Sequence, residues 1–294
     1  MNNATIEGIM QNLHTNGYTF PVDIIEEHRV DRYLSSYYDF LEKLSFSSLE
    51  YEHKFKAHLL FKWVNEVIRD ETILNIARSY LGENILCWNS IFFYKPKMTK
   101  LFVGWHEDKT YWHLENDNII TFSIALTESD TDNGCMKFLK KGKRVEYRTR
   151  TPKYNMLARG QDAILDGNEE FENVCLMKGQ CSIFKQDVIH GSDQNFSNRD
   201  RFLLAIRYIT PDNLTSLNHK SATLVSGIDN YNYYEKEPVP VRDFDKKCVK
   251  YHQTLMAKQA VIYGKDKLKQ YRVAFLAELL RNQAVRGLYY KLNK

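Results

Sequence analysis

The sequence predicts a mainly β protein, an antiparallel sandwich or jelly roll flanked by α-helices at both ends, on three observations. Runs rich in aromatic and β-branched residues concentrate between about residues 85 and 212. They follow one another at irregular spacing without alternating helices, which disfavours a doubly wound parallel sheet. Helical periodicity is confined to the stretches before and after them.

In chain order, residues 5–44 place apolar side chains at helical spacing, as at Tyr33, Tyr37, Phe40, Leu41 and Leu44, with a break at Pro21. Two helices joined by a short extended piece are expected. Phe55, Leu59, Trp63 and Val67, with Leu60, Val64 and Ile68 filling in, predict a stronger helix. Asp70 then precedes a second run through Ile73, Ala77, Tyr80 and Leu81 that Gly82 can terminate, completing a helical hairpin. Residues 85–95 read as a strand stopped by Pro96, followed by strands at 119–126, 173–177, 180–184 and 202–210. Turns are expected at Asp132-Asn133-Gly134 and Asp166-Gly167-Asn168. After Asp243 the chain returns to helix at 251–263 and 266–290. The whole reads as one domain over 1–294: a helical N-terminal segment over 1–84, a β core of about 85–212 and a helical extension of about 243–294.

Composition narrows the function classes. Hydrophobic residues make up 43% and charged residues 27% of the 294, which speaks for a globular chain and against disorder. The net charge of +4 comes without a dense basic stripe or a nucleic-acid module, so no nucleic-acid partner is expected. Five cysteines, an odd number without CxxC spacing, support neither a disulfide framework nor a zinc ribbon. Residues 1–13 lack a basic flank followed by an apolar core, and no run approaches the ~18 apolar residues a membrane helix needs. A soluble, cytoplasmic protein is the expectation.

The residues that bear chemistry include His106-Glu107-Asp108. A metal that activates oxygen needs few protein ligands and open positions, and two imidazoles plus one carboxylate on one face of Fe(II) meet that need. In extended backbone His106 and Asp108 project to the same side, and His190 is the candidate third ligand. A rival pattern of the same kind, His113-Leu114-Glu115, lies nearby. A solvated histidine beside a carboxylate is the structural alternative for each. Arg201 begins a strand downstream of His190, and its planar fork suits a carboxylate. No GxSxG elbow, Walker loop or HExxH zinc site is present.

Gly104-Trp105-His106-Glu107-Asp108-Lys109-Thr110-Tyr111-Trp112 resembles the WHxDxxYW signature of the phytanoyl-CoA dioxygenase family, and Asn133-Gly134-Cys135-Met136 resembles its NGCM turn. Asn155-Met156-Leu157-Ala158-Arg159-Gly160-Gln161 is similar to a segment of the bacterial natural-product branch, with its hydroxylases and halogenases. His190-Gly191-Ser192, Asn195-Phe196-Ser197, Arg201 and Arg207-Tyr208 match the HGSxxNxS…R…RY ending. The resemblance runs from about Leu86 to Asp229 and is weaker through the N-terminal helices.

That resemblance implies a double-stranded β-helix core (jelly roll, cupin-like) and the cofactors Fe(II) and 2-oxoglutarate with O₂. His106, Asp108 and His190 would bind iron, and Arg201 the cosubstrate carboxylate, supported by Ser192. Trp112 would line the cosubstrate pocket or serve as a core aromatic, and Asn89 would face cosubstrate or substrate. Arg207, at the strand parity of Arg201, would face the substrate or be structural. The implied reaction is hydroxylation of an unactivated C–H bond of a small molecule, a secondary metabolite or a carrier- or CoA-linked acid. Asp108 stands where halogenating relatives keep a small residue, which disfavours halogenation. Desaturation, ring formation, demethylation and a catalytically silent binding protein are the alternatives.

Two segments depart from the family pattern: Leu139-Lys140-Lys141-Gly142-Lys143-Arg144 in place of PGSH, and Ser182-Ile183-Phe184-Lys185 in place of SLHH. The basic cluster would be a solvated loop or a phosphate receiver. Leu268, Tyr271, Phe275, Leu276 and Leu279 form an apolar stripe that would cover the protein's own core or form a homodimer.

Overall fold

A computed structural model describes residues 5–43, 53–140, 146–149, 154–157, 161–216 and 220–263. Two sheets face each other. The larger has the strand order β1-β9-β4-β11-β2-β12-β13 and the smaller β3-β10-β5-β8. In the larger, β1 is Tyr18–Asp23, β2 Ile85–Lys95, β4 Ile119–Ala125, β9 Gln180–Phe184, β11 Arg201–Ile209, β12 Ser221–Ser226 and β13 Glu235–Lys236. In the smaller, β3 is Val103–His106, β5 Met136–Leu139, β8 Phe171–Val174 and β10 His190–Ser192. A separate hairpin pairs β6, Glu146–Thr149, with β7, Gln161–Ile164. Among the described residues every pairing of these strands is antiparallel except that of β12 with β13.

The helices cover the outer face of the large sheet. These are α1 (Ile6–Thr15), α2 (Glu27–Lys43), α3 (Lys62–Val67) and α4 (Glu71–Leu81), with α6 (Lys246–Tyr263) beyond them. Strand alternation sends Phe202, Leu204, Ile206 and Tyr208 of β11 into the core that Ile9, Tyr37, Phe61 and Ile73 complete from the helices. Arg201, Leu203, Ala205 and Arg207 therefore face the other way, between the sheets. All nine residues of β11 are buried, as a strand covered on both faces requires.

Strands β2 and β9 match the sequence reading residue for residue, β4 ends one residue earlier than expected, and β11 lies one residue upstream. Asp70 caps α4 through Thr72 N, and Gly82 ends it at φ 84°. The extended piece around Pro21 proves to be β1, the edge strand of the large sheet, where a residue without N–H is tolerated. The helix expected over 55–68 is broken instead. Lys56 is left-handed, Ala57–Leu59 forms a 3-10 turn, and Phe61 is extended before α3. The cause is competition from β2: Phe92 N donates to Lys54 O at 2.9 Å, Phe55 bridges Ile91, and His58 N donates to Ser90 Oγ. Leu59, Leu60, Phe61 and Val64 are buried for tertiary reasons, so their spacing mimics a helical stripe. The strand expected at 173–177 lies slightly upstream, as β8. The expected helix 266–290, the apolar stripe from Leu268 to Leu279 and most of the basic cluster lie outside the described residues.

The break at 55–61 also builds a buried ionic clasp. Lys56 Nζ lies 2.6 Å from Glu237 Oε1 and His58 Nε2 lies 2.8 Å from Oε2. Ser221 and Thr223 hydroxyls donate to the same carboxylate. Burial pushes the Glu237 carboxyl up, but Lys56 and His58 outweigh it and hold it well below the usual range. Removing one member leaves an uncompensated buried charge, so Lys56→Met is expected to cost about 3–5 kcal/mol in chemical denaturation. A cost under about 1 kcal/mol would mean that the clasp does not anchor Glu237. Because the folded pKa is depressed, the stabilisation is full above about 4.5 and is lost in stronger acid.

Candidate metal centre

Three buried ligand side chains converge where β3 and β10 pair. His106 ends β3 and His190 begins β10, and the two are direct cross-strand partners with ring centroids 4.2 Å apart. Direct opposition on one face is what brings residues so distant along the chain together. Asp108 follows as the chain leaves β3 for the single turn α5, Lys109–Trp112, with helical backbone at φ −68°. His106 and Asp108 therefore meet across a strand-to-helix turn rather than along one strand, and His106 Nε2 lies 3.7 Å from Asp108 Oδ1. One ligand atom from each of His106, Asp108 and His190 lies within 4.8 Å of the others.

The donor chemistry fits a metal. Each imidazole Nδ1 lies 2.9 Å from a backbone carbonyl, Gly104 O for His106 and Val188 O for His190. A carbonyl oxygen only accepts, so both Nδ1 atoms carry the proton and both Nε2 lone pairs are free, the arrangement of metal-bound histidines. Burial and then the neighbouring His190 lower the pKa of His106 to about 3, against the opposing pull of Asp108. Burial lowers that of His190 as well. Neutral imidazoles with open lone pairs are the form that binds a cation.

A cationic row lies at the other end of the inner face. Arg201 is 1% exposed, and its Nη1 donates to Gly134 O at 2.6 Å while Nε has no partner. Among the described residues no carboxylate pairs with it, and burial pulls its pKa down to about 10. Directly opposite on β2 is Lys95, whose Nζ donates to Ser192 Oγ at 2.7 Å and also reaches the carbonyls of Gly134 and Asp193. Burial and then Arg201 push the Lys95 pKa well below the usual lysine range. Gly134 is irreplaceable in this cradle: it holds φ 73°, and a Cβ there would sit 2.4 Å from Asp193 O. Ser192 is thus at the Arg201 end of β10, two residues from His190.

The remaining sequence candidates fall between. Asn89 is half-buried opposite Arg207, with Oδ1 buried and unpartnered. Arg207 Nη2 lies 3.4 Å from Asp108 Oδ2. Trp112 packs against Trp88, and Arg207 Cζ lies over its ring, 4.7 Å from the ring centroid, which ties it to the Asp108 end of the site. The departure at Ser182-Ile183-Phe184-Lys185 puts the Phe184 ring 4.9 Å from that of His190. His113 is exposed in left-handed backbone, so of the two HxD/E patterns only the first joins His190. Sequence reasoning missed Lys95, Thr121 and Ser182, which face the same interior. Carrying the parity of Asn89 along β2 would have reached Lys95, and the hydroxyls of Thr121 and Ser182 interrupt otherwise apolar strands.

A jelly roll that gathers two histidines and one carboxylate in its interior defines the class of non-haem metal oxygenase scaffolds. The sequence profile of the phytanoyl-CoA dioxygenase (PhyH) family matches residues 13–203, and the chain belongs to that family of Fe(II)- and 2-oxoglutarate-dependent dioxygenases. It is 32% identical over 184 residues to a probable alpha-ketoglutarate-dependent hypophosphite dioxygenase of Stutzerimonas stutzeri, covering 60% of each chain. It is 34% identical over 94 residues to an ectoine dioxygenase of Streptomyces coelicolor, covering 30% of this chain and 31% of that one. The chain thus spans less than two thirds of the length of either relative. The solved structure of a non-heme monooxygenase, the ThoJ-Ni complex, superposes with a TM-score of 0.69 at 26% identity, over 89% of this chain and 99% of that one. Among the described residues no helix is long and apolar enough to cross a membrane.

Proposed function

We propose that the chain hydroxylates a small molecule, with iron held by His106, Asp108 and His190 and 2-oxoglutarate held by Arg201. The observation that carries this is a buried group of candidate ligands, with both histidine Nε2 lone pairs open, sharing an interior with a buried guanidinium that no carboxylate of the described residues pairs with. When bound, iron and 2-oxoglutarate supply the oxidant: 2-oxoglutarate, O₂ and R–H give succinate, CO₂ and R–OH, with one oxygen atom of O₂ in succinate and the other in the alcohol.

The chain's own residues bind, orient and exclude water. Gly104 O and Val188 O fix the imidazole planes by accepting from Nδ1. Arg201 offers a fork for the far carboxylate of the cosubstrate, and Lys95 steadies Ser192 beside it. Phe184, Ile91, Phe93 and Leu203 supply the apolar wall between the two ends, which keeps the reacting C–H bond out of water. Asp108 as a third protein ligand would take the place that a halide would need, which favours hydroxylation over halogenation. The names of the two relatives, dioxygenases of hypophosphite and of ectoine, support a small polar substrate.

Turnover under ¹⁸O₂ tests the reading. One labelled atom is expected in succinate and one in a product heavier by a single oxygen. Labelled succinate with a product that has lost two hydrogens and gained no label would replace hydroxylation by desaturation or ring formation.

A further inference from the structure

Arg207 is a buried cation that the chemistry above leaves without a ligand. It lies on the inner face of β11, directly opposite Asn89 on β2 and Thr121 on β4. Direct partners in antiparallel strands are neighbours on one face, so these three form a row across the sheet. Each holds a buried polar atom without a partner: Nε of Arg207, Oδ1 of Asn89 and Oγ1 of Thr121. Buried polar groups are normally satisfied, and three orphans side by side mark a place shaped for a polar ligand. The Asn89 amide can turn over to present its NH₂, and the Thr121 hydroxyl can donate.

The donors left over identify the ligand's sign. The only ion pair of Arg207 among the described residues is from Nη2 to Asp108 Oδ2, at 3.4 Å; Asp108 Oδ1 is the oxygen beside His106, so this pair can persist with Asp108 on the metal, and it still leaves Arg207 Nε without a partner. Arg207 Cζ lies over the Trp112 ring, 4.7 Å from its centroid, a cation–π contact that uses none of the guanidinium N–H donors. A buried guanidinium with a donor to spare, beside two further unsatisfied polar atoms, favours an oxyanion.

The row also lies at the metal end of the interior rather than at the Arg201 end. Thr121 is opposite Phe184, whose ring touches that of His190. Arg201 is six residues along β11 from Arg207, roughly 20 Å of extended strand. Resting on the reading that Arg201 takes the far carboxylate of the cosubstrate, we propose that Arg207, Asn89 and Thr121 form a second anion subsite. It binds an oxyanion of the substrate, a carboxylate or a phospho-oxyanion, beside the metal. The site then selects small acids over their neutral isosteres, because a neutral group leaves the buried donors unpaired.

The test uses the anaerobic protein loaded with Fe(II) and 2-oxoglutarate, titrated by calorimetry with phosphinate and propanoate as probes and propanamide as the neutral control. The visible band of the loaded protein is the second readout. At least one anion is expected to bind about tenfold or more tightly than propanamide and to shift the band. Arg207→Gln should abolish that binding while 2-oxoglutarate affinity stays within about threefold, and Arg207→Lys should restore some of it. Asn89→Ala and Thr121→Ala, at positions without a contact to Asp108, should each weaken the anion roughly fivefold to thirtyfold. Binding of neither anion, equal binding of propanamide, or loss of 2-oxoglutarate or metal affinity in Arg207→Gln with the anion unaffected would each overturn the subsite. In the last case Arg207 serves the cosubstrate or braces Asp108. Absence of any band with Fe(II) and 2-oxoglutarate would overturn the proposed function as well, whereas a band without an anion response overturns the subsite alone.

Discussion

Replacing His190 by alanine is expected to lower 2-oxoglutarate-dependent succinate formation by on the order of 10³-fold or more, since a metal site supplies several kcal/mol and each 1.36 kcal/mol is tenfold. The cause is local. His190 contributes one of three buried donors, and its Nδ1 is already committed to Val188 O. His106→Ala should do the same, and the double variant should be little worse than either single one, because ligands that act as a unit are not additive. Steady-state succinate release, with metal content measured on the same samples, checks this. A fully active His190→Ala, or single losses that multiply in the double variant, would contradict a shared metal. Both variants should keep the native fold, because the larger hydrophobic core lies on the far side of the large sheet, around Tyr37, Phe61 and Phe202.

The second large effect is at Arg201. Arg201→Ala is expected to raise the KM for 2-oxoglutarate by roughly thirtyfold or more, as losing one partner of a buried charged pair costs about 2–5 kcal/mol. Iron affinity should hold, since Arg201 contacts Gly134 O and not the ligand cluster. Arg201→Lys should recover only a fraction of the loss, because an ammonium cannot match a carboxylate with two parallel bonds. A KM unchanged in Arg201→Ala would move the cosubstrate elsewhere. Lys95, opposite Arg201 and bonded to Ser192, would be the next group to test.

Much of this site was legible in the sequence because its signals are local. The HxD pattern, the His190-Gly191-Ser192 run and the arginine that opens β11 are short local patterns that supply the candidate donors. Strands β2 and β9 were equally plain, being continuous β-branched and aromatic runs with clear stops. What was hidden depends on partners far along the chain. Strands β3 and β10, which carry His106 and His190, and their neighbour β5 have only three or four residues each and exist through pairing with one another. The residues around Phe61 look helical because they are buried on all sides, and the competition from β2 that breaks the helix is a tertiary event. Lys95 was passed over because a lysine at a strand end before proline reads as surface, while here β11 and the Gly134 turn enclose it completely. Likewise, no local pattern shows that Glu237 is drawn into the core by Lys56 and His58.

The most direct test is an anaerobic titration of the metal-free protein with Fe(II) and then 2-oxoglutarate, followed by visible absorption and calorimetry. A weak charge-transfer band that saturates at one equivalent of each is predicted, absent in His106→Ala and His190→Ala and requiring far more 2-oxoglutarate in Arg201→Ala. A native protein that develops no band and releases no heat on adding 2-oxoglutarate would contradict the assignment of this interior as an iron and 2-oxoglutarate site.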